Sequence, residues 1–553
     1  MTSALRVALG TVGLVATLAT PGGAQQPPGT DEAARLREVV AAQQRQLDEQ
    51  RRQLDELRDV VQEQGRAIAE LRTRDANGTV AAAPPAGAPP GPTATPHAET
   101  QAAAATRAPA AAVAREVNPT QEIANEVPAG PALDIGPAEV RLGGYLALTG
   151  TYRSTNSGGN VGTSFGSTPY ADTVQGNVSE TRFSAQSTRL SLRVDAPLPP
   201  GSAHFSKLAG YVEMDFAGST PGTVAVTSSS VGFRLRQAFG EVVYGDAFFL
   251  GLGQAFSLMT PAKDQLSVWP SAYELTRAVD TNYVAGLVWN RLPQLRLAWR
   301  PSRAFNWAFS VENPEQQVGR GLVTFPACCA GDLEAQYNTG GDELRVPNLM
   351  PDLATRVAFN AGEAFHVDLG GVFRAFRHTL APYDEDFRQA GGGVSANLAV
   401  RPASSMTILV QGSWGDGMGR YVGGLVPDVV VRADGTISPV RSRSWLAGFE
   451  HQATPRTALA AYYSGVYASS NVGVDDDGTF IGYGYPGASN ASNRTIREAT
   501  GVVVWQIVKT PDRGSLQWNA QTSWLTRTPW SRGTGPASAD AFLFLTQIRY
   551  NLP

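Results

Sequence analysis

Arginine is the residue whose placement most suggests chemistry in this 553-residue chain. Arg189 and Arg193 alternate with Leu190, Leu192 and Val194; Arg234 and Arg236 alternate with Phe233 and Leu235; Arg296 and Arg300 alternate with Leu295, Leu297 and Trp299. Arg141, Arg356 and Arg549 hold the same parity in alternating stretches of their own. A period of two puts every member of such a set on one face of a strand. A ring of guanidinium groups around a narrow passage lowers the barrier for anions and offers two-pronged contacts to carboxylate or phosphate. Glu213 and Asp215 share that parity. They support a plainer alternative, in which each arginine pairs with a wall or loop carboxylate and stiffens the structure.

Other candidates are weaker. Cys328-Cys329 are adjacent, which allows a vicinal disulfide, a bridge to another molecule or neither, and no metal-ligand spacing surrounds them. Asp475-Asp-Asp-Gly478 lacks the spaced carboxylates and terminal Glu of a calcium loop and reads as a solvated acidic tip. Five scattered histidines (97, 204, 366, 378, 451) accompany no nucleophile motif, and there is no phosphate-cradling loop. The sequence therefore implies no metal, no cofactor and no enzyme.

The elements that must position the arginines follow from composition and periodicity. Charged residues make up 17% of the chain, glycine numbers 58 and cysteine two, with a net charge of −4. A disulfide scaffold and general nucleic-acid binding are excluded on those grounds. No apolar run after the first 25 residues approaches the ~18 needed for a spanning helix. Met1–Arg6, the apolar run Val7–Ala19 and Pro21-Gly-Gly-Ala24 read as a secretory signal over 1–24. Over 31–74, Leu36, Val40, Gln43, Leu47, Gln50, Leu54, Leu57, Val61, Gln64, Ile68 and Leu71 keep an unbroken 4,3 spacing, which predicts a left-handed coiled coil about 65 Å long. Three Gln at d positions fit the roomier core of a trimer, although the pattern alone allows a dimer. Residues 75–136 form an Ala/Pro-rich linker with too little apolar surface to fold.

Residues 137–553 alternate apolar and polar side chains over lengths typical of membrane-barrel strands. Sixteen strands are expected, near 139–153, 182–196, 205–217, 231–245, 246–256, 286–301, 304–313, 352–361, 363–377, 388–402, 405–415, 441–452, 455–467, 496–509, 514–527 and 540–552. Eighteen remain open. Long connections alternate with short ones such as Tyr244-Gly-Asp246 and Ala361-Gly-Glu363, which is the arrangement of an outer-membrane barrel. The fold class is thus an all-β antiparallel transmembrane barrel with an N-terminal helical coiled coil. Apolar residues would face lipid and polar ones a wet lumen, so the 42% hydrophobic content would describe an outside and not a core. Trp289, Trp299, Trp307, Trp414, Trp445, Trp505, Trp518, Trp524 and Tyr550 are expected at the outer face or strand ends, as interfacial girdles.

The order of several local motifs resembles the DcaP-like trimeric porins of Gram-negative outer membranes. They are Gly144-Tyr145, Ser187-Thr-Arg-Leu-Ser-Leu-Arg-Val194, Gly210-Tyr-Val-Glu-Met-Asp-Phe216, Phe233-Arg-Leu-Arg-Gln-Ala-Phe-Gly240, Gly251-Leu-Gly-Gln-Ala-Phe-Ser257, Pro293-Gln-Leu-Arg296 and Val311-Glu-Asn-Pro314. The chain departs from outer-membrane habit by ending Arg549-Tyr-Asn-Leu-Pro553 without a terminal aromatic. The resemblance implies a sixteen-stranded homotrimeric channel in outer-membrane lipid that passes small anions such as dicarboxylates. It also implies that the loop Phe256–Ala285 folds into the barrel, making Lys263, Asp264, Tyr273, Glu274 and Arg277 constriction residues and the arginines pore-lining. A phosphate or polyphosphate channel is an alternative, as is a tether reaching peptidoglycan through a periplasmic coiled coil.

Overall fold

The computed structural model describes residues 132–553 apart from 159–160, 200–203, 219–228, 246, 341–345, 382–384, 511–512 and 533–534. The expected signal, coiled coil and linker lie outside the described residues. Each alternating stretch becomes a strand, because an isolated strand in lipid leaves its backbone amides unsatisfied and only a closed sheet pairs them all.

Sixteen strands of the described residues form one antiparallel barrel. They are β1 (Ala138–Arg153), β2 (broken into Glu180–Ser184 and Arg189–Pro197), β3 (Phe205–Asp215), β4 (Arg234–Tyr244), β5 (Phe248–Phe256), β6 (Arg291–Trp299), β7 (Phe305–Glu312) and β8 (Asp352–Ala361). The second half is β9 (Phe365–Leu380), β10 (Glu385–Ala403), β11 (Met406–Asp416), β12 (Arg441–Thr454), β13 (Thr457–Ala468), β14 (Asn493–Thr510), β15 (Gly514–Pro529) and β16 (Ala539–Asn551). Every strand pairs with its neighbours in sequence, and β1 closes on β16 with Tyr145 opposite Asn551 and Arg153 opposite Leu543. A short segment, Leu133–Ile135, folds back on the start of β1. Strand number and positions agree with the alternation except that β6 begins at Arg291 and not at 286, and both barrel termini lie on the short-turn rim.

The wall is uneven. β5 and β6 have 9 residues each and β7 has 8, whereas β10 has 19 and β14 has 18. A tilted spanning strand needs ~9–11 residues, so the low side barely spans a bilayer and the high side projects well beyond it. Outward side chains such as Leu142, Leu192, Leu295, Phe373 and Ile548 are exposed, as a lipid face requires. On the short-turn rim an aromatic row runs Phe248, Trp299, Phe305, Phe359, with ring centroids 5.2–6.3 Å apart.

The structure corrects two expectations. Trp289 is not a girdle residue: it is buried inside the barrel against Tyr283, 5.5 Å between rings. The inner face is also not uniformly polar. Leu525, Leu543 and Leu545 point inward and are buried in a cluster with Val279, Ala285, Val422 and Leu425 from inward-folded loops, and Leu446, Val502 and Val504 in a second one with Tyr283, Val284 and Leu287. The barrel therefore encloses a hydrophobic core. Strand periodicity reports which residues share a face, and loop packing decides what that face meets.

Gly144 holds a backbone conformation in β1 that side-chain-bearing residues rarely adopt. Its φ is +115°, and a Cβ there would stand 2.2 Å from the Arg189 carbonyl oxygen of β2. Gly144→Val combines that clash with backbone strain of roughly 1–3 kcal/mol. It should lower the temperature at which the folded, fast-migrating species converts to the unfolded one on semi-native electrophoresis. Gly210→Ala, with its nearest atom 3.9 Å away, should leave that temperature unchanged.

Candidate functional site

Loop 257–290 joins β5 to β6 and runs inside the barrel. Apart from one 3-10 turn at Pro270–Ala272 the loop has no helix, so most of its amides and carbonyls remain for the wall to bond. Near its start, the Arg296 guanidinium donates to the carbonyls of Phe256 (2.6 Å) and Ser267 (2.9 Å), and Arg356 donates to the carbonyl of Leu258 (2.8 Å). The Asp264 carbonyl accepts from Asn306 and Asn360 at the short-turn ends of β7 and β8. The loop then crosses to the far wall. Arg277 Nε donates to Glu450 of β12 at 2.6 Å, its amide donates to the Tyr462 hydroxyl of β13 at 2.7 Å, and the Ala285 amide donates to Glu498 of β14 at 2.8 Å. Gln521 of β15 accepts from the amides of Val279 and Asp280.

The sequence-nominated residues divide into three groups. Arg296 and Arg356 are buried loop anchors, Arg356 also pairing with Asp368 at 2.5 Å. Tyr273, Glu274 and Arg277 are anchors too: Tyr273 bonds Arg296 and the Phe256 carbonyl, while Glu274 accepts from Arg401 at 2.7 Å. Lys263 and Asp264 are exposed at the turn nearest the short-turn rim. The third group lies together on β1, β2 and β4. Arg189 meets Glu213 at 3.2 Å; Arg236 bridges Glu213 (2.7 Å) and Asp215 (3.1 Å); Arg234 grips Asp215 through two hydrogen bonds. Arg193 pairs with Asp195 and lies 4.3 Å over the Trp269 ring of the loop, and Arg141 pairs with Glu139. Arg300, just past β6, donates to Gln265 and covers the Phe249 ring.

Alternation missed Arg291. Its place in β6 gives it outward parity, yet it turns inward at the strand's first residue, close enough for its charge to act on Glu213, Asp215, Arg234 and Arg236. Its Nε and Nη1 are buried and, among the described residues, have no hydrogen-bond partner. With Arg291, Arg549 and Lys207, the third group makes nine cations on this side of the lumen, facing Glu139, Asp195, Glu213, Asp215 and Glu241. Across the barrel, buried arginines fasten loops through carboxylates and carbonyls. Arg374 binds Asp352 (3.1 Å) and Asp428 (2.7 Å) as well as the carbonyls of Gly417 and Glu315, which clamps two further loops inside the wall. This hub also went unrecognised, because its partners lie 22 and 54 positions away.

Among the described residues no group of three or more His, Cys, Asp and Glu side chains could hold a metal. His366 bonds Asn360 and Asp368, and His378 bonds the Tyr337 hydroxyl. Both cysteine thiols are free, with Cys329 raised by burial and by its neighbour.

No protein-family model matches the chain, and no curated protein matches it by sequence. Solved structures do match by shape. The outer membrane channel DcaP of Acinetobacter baumannii aligns with a TM-score of 0.55 and 17% identity, over 77% of this chain and all of that one. The chain has the fold of the DcaP channel. An anion-selective porin from Comamonas acidovorans aligns at 12% identity and TM-score 0.42, over 75% of this chain and all of that one. A trimer form of Vibrio cholerae OmpT aligns at 10% and 0.40 with the same coverage. Neither of these two carries further argument. The DcaP likeness is confined to the barrel fold.

Glu274 supplies a pH test of the loop. Burial raises its carboxyl to about 7, against the pull of Arg401. A loop released from the wall would return it to the ordinary value near 4.5. The seated loop therefore holds its proton more tightly than the released one, and seating weakens as pH rises from about 4.5 to about 7. Single-channel current noise should increase over that window and level off above it, whereas Glu274→Gln should show no such step.

Proposed function

We propose that this barrel is a passive diffusion channel of the outer membrane with a preference for small anions. The observation that carries the reading is the excess of arginine on the β16–β6 side of the lumen, where Arg291 adds a further guanidinium beside Arg234 and Arg236. Such a wall lowers the barrier for a carboxylate or phosphate and opposes cations. Dicarboxylates fit paired guanidiniums at short spacing and are the proposed substrates. Phosphate suits the same donors and is the second candidate. Because Arg189, Arg234 and Arg236 are also held by Glu213 and Asp215, solutes would meet a network with surplus positive charge and not a row of free cations.

The proposal includes assembly as a homotrimer. Beside the low side of the wall, Phe183 (74% exposed), Phe233 and Val174 extend apolar surface outward near the long loops. Exposed apolar residues beside a wall near the minimum length for spanning lipid are suited to contact with another copy. Residues 31–74 would then stand in the periplasm, on the side of the short-turn rim where β1 begins, within reach of peptidoglycan.

Reversal potentials in a salt gradient should show anion preference, and insertion should give three equal conductance steps. Replacing Arg234 and Arg291 by Gln should reduce the anion-to-cation permeability ratio about twofold or more. Cation preference in the parent protein would sink the anion reading.

A further inference from the structure

The high side of the barrel carries basic residues on its outer face, away from the lumen. Arg443 of β12 and Arg497 of β14 are exposed, while their neighbours Ser442, Ser444, Ile496 and Glu498 are buried inside. Alternation therefore points both arginines outward. They flank β13, where Arg443 pairs in register with Tyr467 and Arg497 with Gly465, placing them about 12 Å apart across two strand spacings and a two-residue offset. Among the described residues neither makes an ion pair. Arg443 lies 4.9 Å over the Tyr467 ring. Arg441 and Arg388 continue the arc on β12 and β10, bonded to exposed Asp416 and Asp386. The arc ends at β16, where Asp540 accepts from Thr526.

Its height follows from strand length. Arg443 stands 11 residues above the β12 end at Thr454, and Arg497 stands 13 above the β14 end at Thr510. At ~3.3 Å per residue and a tilt of ~40°, both lie roughly 25–35 Å from the short-turn rim, the level of the far bilayer interface. Exposed Trp414, Tyr463 and Trp524 occupy the outward face at and below that level. Beside Arg441 is an open cleft of about 370 Å³ lined by Gln389, Asp416, Arg441, Ser469, Ser470 and Asn471.

We infer that this arc binds a phosphorylated glycolipid of the outer leaflet. Arginines at headgroup height bind its phosphates, aromatic rings below meet its acyl chains, and the hydroxyl- and amide-lined cleft beside Arg441 receives its sugars. Phospholipid headgroups offer the phosphate but no saccharide to fill the cleft, so the glycolipid is the occupant that uses all three features. The inference depends on outer-membrane placement and not on ion conduction.

The test uses full-length protein in detergent, incubated with purified lipopolysaccharide or with the same material enzymatically dephosphorylated, and measures retained glycolipid by mass spectrometry. Parent protein should retain the phosphorylated form, and Arg443→Ser/Arg497→Ser should reduce retention about tenfold or more. Arg443→Lys/Arg497→Lys should keep most of it, which separates lost charge from lost folding. Single-channel conductance should be unchanged in both variants, since neither residue faces the lumen. Equal retention by the Ser variant, equal retention of the dephosphorylated form, or equal capture of anionic phospholipid vesicles would overturn the inference. A parent protein that retains glycolipid but conducts no ions would overturn the channel reading alone.

Discussion

Everything in this structure depends on the hydrogen bonds that join β1 to β16. In lipid an unpaired amide costs several kcal/mol, so a sheet is tolerated only when it has no edge. Closure divides each strand into an outer and an inner face. It also places every long connection on one rim, where such segments can lie over the lumen or enter it. At Gly144 the approach of β1 to the Arg189 carbonyl constrains the backbone directly.

What fills the enclosed space is the second determinant. Loop 257–290 is held by side chains from β6 to β15, mostly arginine, asparagine, glutamine and carboxylates acting on its backbone groups. Burying ion pairs brings desolvation costs that the Coulomb attraction only partly offsets, and removing one partner typically costs ~3–5 kcal/mol. The inner arginines therefore serve two purposes. Arg296, Arg356 and Arg374 fasten loops, whereas Arg189, Arg234, Arg236 and Arg291 concentrate positive charge on one side of the lumen. Arg356 and Arg374 fasten loops from β8 and β9, whereas the cluster lies on β2, β4 and β6.

Uneven wall height extends the same division to the outer surface. β5–β7 are near the minimum for spanning, while β9–β15 project far enough to lift arginines to the headgroup level. Strand residues that would be lipid-facing in a shorter barrel meet polar headgroups in this one. Charge on an outer face, which would be costly at the membrane centre, is there at a level where it can find phosphate.

Much of this was legible in the chain, because a period of two is a local property that survives any tertiary arrangement. The sixteen strands, the alternation of long loops with short turns, and the inward parity of Arg189, Arg236, Arg296 and Arg356 all follow from it. Three features were not legible. Trp289 reads as a girdle residue but is drawn inside by the loop that carries it; Leu525, Leu543 and Leu545 read as an anomaly in a polar lumen but pack against Val279 and Ala285; Arg291 reads as outward but turns inward where β6 begins. All three depend on contacts between segments far apart in sequence, which local pattern does not encode. The sequence by itself determined which residues of a strand share a face and narrowed the closed sheet to sixteen or eighteen strands. Only the tertiary structure decided what each face meets, because that depends on where the long loops pack once the barrel has closed.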